Sequence, residues 1–304
     1  MLRVRVARSL TPALRHDIDE FLDHAHALGG TRLSDHLVAD LAHGPRDGFI
    51  AVFGDDDEDG TLVGYAQASS GNDGSVVGTV VSPRYSGDVD EARLDLLSVL
   101  LAELPGDDSV TWWSHDATAD PSLADALGLR PHRALLQMRR SLPLDDAIRT
   151  GPEVAVRGFE VGRDEAAWLE VNNAAFAWHG EQGGWDLAVL QQREREQWFD
   201  PAGFLLHHRD GRLAAFCWTK VHASADPTTG EIYVIAVHPD FHGLGLGRAL
   251  TVAGLRHLAE VGAAEGMLYV DADNHSAVGL YRQLGFEPVH TDRAYRRSPE
   301  GEAS

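Results

Sequence analysis

The two halves of this 304-residue chain read alike when laid over one another, and that repeat limits the architectures open to it. In the first half, VGYAQA precedes SVVGTVVSPR, the apolar helical run LDLLSVLLAEL, the strand-like VTWWSH, and then LADALGLRPHRALLQMRR. In the second, LAAFCWTK precedes EIYVIAVHPD, LTVAGLRHLAEV, MLYVDA, and then AVGLYRQLGFEPVHTDRAYRR. Pro83 and Pro239 stand 156 residues apart (239 − 83), and Gly128 and Gly285 stand 157 apart (285 − 128). Agreement at both ends of the aligned stretch argues for duplicated domains. The connector PLDDAIRTGP carries two prolines, a glycine and mixed charge, as a linker does. The expected division is a domain over 1–142, a linker over 143–152 and a second domain over 153–304. Each half offers helices first, then strands alternating with helices. The expected fold is therefore α/β (α+β), each domain a mixed, twisted sheet flanked by helices.

Charge and cysteine content narrow the partners. The formal net charge is −21, so phosphate backbones are repelled and a nucleic-acid partner is disfavoured. A small cationic amine is attracted instead. The single cysteine, Cys217, cannot build an internal disulfide framework, and no apolar run is long enough to span a bilayer. The opening MLRVRVARSLTP lacks the apolar core of a signal peptide. A cytoplasmic, membrane-free protein is expected. Of the 26 basic residues the only lysine is Lys220, which favours a role needing a compact ammonium over chance survival on a solvated strand end. Metal is not expected. DDDED at 55–59 lacks spaced calcium ligands and reads as a solvated hairpin tip, and His16, His24 and His26 match no zinc spacing.

Chemistry concentrates in EIYVIAVHPDFHGLGLGRALTVAGLRHLAE. A strand ends at Val237, His238-Pro239 breaks it, Gly243, Gly245 and Gly247 follow, and a helix begins near Arg248. Glycines let the backbone approach a ligand closely, and a helix N-terminus offers partial positive charge to a pyrophosphate. Arg248 adds a full charge. Read alone, the segment also describes a tight turn before a helix, and it does not fit the Walker pattern. Downstream, YVDADNHSAVGLYRQLGFEP places Asn274 at a helix start and Gly285 at its end.

Strand, His-Pro, HGLGLG and helix, followed by Asn274, Ala277, Tyr281 and Gly285-Phe286, resemble the two ordered signatures of the GCN5-related N-acetyltransferase (GNAT) superfamily. His242, where Gln or Arg is more usual, and Gly243, where a basic residue is common, depart from that pattern. The resemblance implies two tandem GNAT-like domains and acetyl-CoA as cosubstrate. The cofactor would be held by Ile235, Ala236 and Val237 at the strand end. His242, Gly243, Leu244, Gly245, Leu246, Gly247 and Arg248 would hold it in the loop, and Asn274, His275, Ser276, Ala277, Val278 and Gly279 at the later helix. Tandem lobes with FAWHGEQGGW and CWTKVH further resemble the mycothiol synthase family. That likeness implies acetylation of the cysteinyl amine of a glucosaminyl-inositol conjugate, a small-molecule acceptor contacted by Asp35, Glu181, Lys220, Glu231 and Tyr269 in a pocket between the lobes.

Within this resemblance Glu231 is the candidate base, Tyr281 the proton donor to the leaving sulfur, and the backbone N–H of Val237 the donor to the thioester carbonyl. Residue by residue, Glu231 also reads as a strand-end charge, Tyr281 as an aromatic packed beside Leu284, and Asp35 as part of a helix cap. The repeat sets Ser75 opposite Glu231 and Ala124 opposite Tyr281. The first half also has acids where HGLGLGR has glycines, so it is expected to be non-catalytic. A vestigial cofactor site there would involve Thr79, Val80 and Val81. Fused lobes suggest a monomer. The alternatives are a GNAT acting on another amine or a protein N-terminus, or an acyl-CoA sensor without turnover.

Overall fold

The computed structural model describes residues 2–43, 48–56, 60–71, 74–115, 121–145, 148, 151–177, 182–222 and 225–297. It forms two compact units, one of residues 1–134 with 291–304 and the other of residues 135–290.

In the first unit the chain runs β1 (Leu2–Ala7), α1 (Pro12–Ala27), α2 (Asp35–His43), β2 (Ile50–Asp56), β3 (Leu62–Gly71), β4 (Gly74–Val81), α3 (Val89–Glu103), β5 (Val110–Ser114) and α4 (Pro121–Ala126). β1 to β4 are antiparallel neighbours, and β5 lies parallel to β4. α3 buries Leu96, Leu97 and Leu100 against Val52, Ala66 and Trp112 of the sheet. Burying such side chains stabilises by roughly 1.5–3 kcal/mol each, so this apolar stripe fixes the helix to the sheet. The first aspartates of DDDED are not at a hairpin tip. Asp55 and Asp56 lie in β2, and Asp55 is buried with its carboxylate 2.6 Å from Arg5 Nε. A buried carboxylate needs such a partner. Residues 57–59 lie outside the described residues.

β6 (Arg130–Ser141) carries the chain into the second unit, followed by β7 (Arg157–Gly158), α5 (Glu165–Ala175), α6 (Leu187–Glu194), β8 (Phe204–Arg209), β9 (Arg212–His222), β10 (Thr229–Val237), α7 (Leu246–Glu260), β11 (Glu265–Asp271), α8 (His275–Gln283) and β12 (Glu287–Arg297). The sheet of this unit is ordered β6-β11-β10-β9-β8-β7. Only β10 and β11 are parallel, joined by α7 as the crossover helix. One sheet face packs on α7 through Cys217, Ile232, Leu250, Leu255 and Leu258. The other carries an aromatic core in which Trp168 of α5 meets Phe204, Phe216 and Trp218 edge-on or tilted, at centroid distances of 5.2–5.8 Å.

The last strand of each chain half lies in the unit built mainly from the other half. Residues 135–141 of β6 pair with β11, and residues 293–297 of β12 pair with β5. The connector is more than a spacer, since Leu144 and Ile148 pack on the α7 core.

Candidate active site

The site is built on one irregularity in β10. Its register with β9 shifts between Ile232 and Val234, leaving Tyr233 as a bulge. An extra residue turns the strand's side chains over. Gly230 and Ile232 face α7 before the bulge, whereas Ile235 and Val237 face it afterwards. The parallel register with β11 ends at Ile232↔Leu268, although β10 continues to Val237 and β11 to Asp271. The two strands therefore part, and a cleft of about 720 Å³ lies at the parting, lined among others by Ile235, Ala236, Val237, Gly243, Gly247, Asn274 and Tyr281.

The N-terminus of α7 opens into this cleft. The helix begins at Leu246, two residues before the expected start. Gly245 is its N-cap in the left-handed region (φ 74°), as is Gly243 (φ 78°). A side chain at either would be strained. No side chain caps the helix, so its first N–H groups remain for a ligand. A Cβ at Gly243 would meet nothing within 4 Å, and one at Gly247 only Val237 Cγ2 at 4.0 Å. This open, uncapped cradle fits the pyrophosphate of an acyl-CoA. His242 and Arg248 make protein contacts, His242 Nε2 lying 3.1 Å from the Val237 carbonyl oxygen and Arg248 donating to the Gln283 side chain.

In α8 the Asn274 side chain caps the helix by accepting from the Ala277 N–H at 3.1 Å. Ser276 and Ala277 line the cleft, while Val278 packs in the α7 core. His275 and Gly279 are helical, but neither is among the residues lining the cleft. The same is true of Leu244, which is exposed. Tyr281 packs with Phe286 in the core and is among the residues lining the cleft. Burial pushes its phenol well above the usual tyrosine range, and the nearby Cys217 thiol adds to the shift. The hydroxyl therefore keeps its proton throughout the neutral range.

The acceptor candidates divide. Lys220 and Glu231 are register partners on β9 and β10. The Lys220 ammonium sits 4.8 Å from the Trp198 ring centroid and 5.4 Å from that of Tyr233, an arrangement attractive to a cation. Glu231 is buried, and its Oε2 lies 2.7 Å from His222 Nε2. Tyr269, on β11, is exposed and its hydroxyl accepts from Gln137 Nε2 at 2.6 Å. Asp35 begins α2 in the first unit. Glu181 lies outside the described residues. Sequence reading missed His222, Trp198 and Tyr233, together with Gly151 and Pro152 of the connector, which line the cleft. His222 carried a signal, since on a strand it shares the face of Lys220 two residues away. Trp198 carried none.

The corresponding place in the first unit is differently built. β4 pairs with β3 without a register shift, so it has no bulge. Thr79 donates to the Tyr65 carbonyl oxygen at 3.1 Å, and Val80 and Val81 are buried. Asp88 caps α3 by accepting from the N–H groups of Asp90 and Glu91, which place further negative charge on the first turn. Ser75 donates to Asp108 at 2.5 Å, and Ala124 is core.

A parted parallel strand pair, a strand bulge and an uncapped glycine-led helix define the class, that of GNAT-fold acetyltransferases, which draw their acetyl group from acetyl-CoA. The acetyltransferase (GNAT) family model matches residues 168–286. Among solved structures, a GCN5-related N-acetyltransferase from Sphaerobacter thermophilus superposes with a TM-score of 0.66 at 22% identity, covering 97% of this chain and 95% of that one. A tandem GNAT protein from the clavulanic acid biosynthesis pathway does so with 0.67 at 17% identity, covering all of both chains. Two mycothiol acetyltransferases are each 42% identical. That of Kocuria rhizophila aligns over 88% of this chain and 90% of its own length, and that of Streptomyces scabiei over 97% and 95%. The chain belongs to the mycothiol acetyltransferase family.

Proposed function

We propose that this enzyme transfers the acetyl group of acetyl-CoA to the cysteinyl amine of cysteinyl-glucosaminyl-inositol, giving mycothiol. Acetyl-CoA supplies an activated acyl carbon and a thiolate leaving group. The observation that carries the reading is the cleft at the parting of β10 and β11, with the free N-terminus of α7 at it and Tyr281 in its wall. The first turn of α7 binds phosphate through backbone N–H groups, with His242, Leu244 and Arg248 beside it and α8 from Asn274 to Gly279 flanking it. Val237 N–H donates to the acyl oxygen. The Glu231 carboxylate takes a proton from the acceptor nitrogen, directly or through water, and the Tyr281 hydroxyl gives its proton to the departing sulfur. Asp35, Glu181, Lys220, Glu231 and Tyr269 are the acceptor's contacts, carboxylates and ammonium answering its hydroxyls and amine.

The chain halves act as unequal domains, the first non-catalytic. The Asp88 cap, the acids of the α3 first turn and the straight β4 support that assignment. Two GNAT-like halves in one chain support a monomer. The net charge of −21 supports a small-molecule partner over nucleic acid, and the lone thiol fits a reducing cytoplasm.

The test is incubation with acetyl-CoA and the cysteinyl-glucosaminyl-inositol acceptor, following thiol release and product mass, with Glu231→Gln in parallel. Gain of one acetyl group on nitrogen, reduced about a hundredfold or more in the variant, is expected. Acetyl-CoA binding without turnover would refute the reading.

A further inference from the structure

Among the described residues, buried Glu231 pairs with one side chain, that of His222, which has no role in the reading above. On β9, Trp218, Lys220 and His222 alternate onto the sheet face opposite α7, the face that also carries Glu231 and Tyr233 of β10. Glu231 stands opposite Lys220 in register, and His222 stands opposite Thr229. The imidazole thus reaches Glu231 along the cross-strand diagonal. Its Nε2 lies 2.7 Å from Glu231 Oε2. The Lys220 ammonium, the nearest other charge in register, is instead held over Trp198 and Tyr233. On β11, the register partner of Glu231 is Met267, which cannot titrate.

To act as a base Glu231 must be a carboxylate, which only accepts hydrogen bonds, and Nε2 then carries the proton in this pair. That donor engages Oε2, which leaves Oε1 as the less committed oxygen to receive a proton from the acceptor amine. We propose that His222 is the positioning residue for Glu231, fixing which carboxylate oxygen meets the amine. The proposal rests on Glu231 being the base.

The experiment measures kcat and KM for acetyl-CoA in the wild type, His222→Ala, His222→Gln and Glu231→Gln, with thermal unfolding of each. Loss of a hydrogen bond to a charged group predicts a fall in kcat of roughly tenfold or more in His222→Ala, with KM for acetyl-CoA unchanged. His222→Gln keeps an N–H where Nε2 stands, and it should recover most of kcat. A merely structural histidine would change unfolding without that split between kcat and KM and without rescue by Gln. Wild-type kcat in a folded His222→Ala, with Glu231→Gln inactive, overturns the proposal while leaving the base in place. Full activity in Glu231→Gln removes the base, and the proposal with it.

Discussion

Gly247→Ala separates what the α7 cradle does for folding from what it does for the cofactor. Gly247 is the second helical residue of α7 and is not in the left-handed region. A methyl group there meets only Val237 Cγ2, at 4.0 Å, which is ordinary contact. Folding should therefore gain from replacing the most flexible residue, by roughly 0.5–1 kcal/mol. In a unit of this size that corresponds to a rise in Tm of about 2 °C. Binding should move the other way, because the same methyl projects into the cleft where phosphate oxygens must reach the first-turn N–H groups. Losing one hydrogen bond to a charged group costs about 1.5–3 kcal/mol, which is roughly a ten- to hundredfold weaker Kd. Thermal unfolding without ligand and calorimetric titration with acetyl-CoA read the two effects independently. Wild-type affinity in the variant would refute close backbone approach at this position. A fall in Tm would refute the helical geometry assigned to Gly247.

Three further outcomes follow from burial and pairing. Tyr281→Phe should leave Tm within a few degrees, since the ring keeps its packing, yet lower kcat by about tenfold or more. Because burial holds the phenol protonated, the wild-type rate should show no alkaline loss from Tyr281 up to pH 10; an alkaline limb that vanishes in the variant would contradict this. Cys217 is fully buried and its thiol is pushed above the usual range by burial. An aromatic disulfide reagent should then find no reactive thiol in the native protein and one per chain after denaturation, so that the enzyme adds nothing to a thiol signal that rises with released CoA above the acceptor's own constant thiol. Arg157 donates to both oxygens of buried Asp164, at 2.5 and 2.7 Å, and holds its carboxyl below the usual range. A depressed pKa contributes stability above the ordinary carboxylate pKa near 4 and loses it as pH falls through the folded value. Urea unfolding of Arg157→Met should show a loss of about 1–3 kcal/mol at pH 7 that shrinks towards pH 3; an equal loss at both would argue against the pair.

The geometry around the cleft was legible in the sequence where it depends on backbone and local chemistry. Gly243 and Gly245 can be placed from spacing alone, because positive φ before a helix start is a local property, and Gly247 follows them in the first turn. Asn274 as a cap and Gly285 as a helix end are local in the same sense. Lys220 stood out only through composition, and its seat over Trp198 and Tyr233 depends on residues from separate segments. The pairing of His222 with Glu231 depends on the register of two strands, which no single run of sequence contains.

By itself the sequence determined the duplication, the alternation of strand and helix, the acidic field and the glycine-led cradle, since each is written in composition or in spacings of a few residues. Only the tertiary structure decided where β10 bulges, where it parts from β11, and which sheet receives each half's last strand. Residues 135–141 and 293–297 have the alternating side chains of any edge-capable strand. Their partners, β11 and β5, are chosen by long-range backbone pairing and burial. A strand's own residues state that it will pair, while its neighbours in space decide with what.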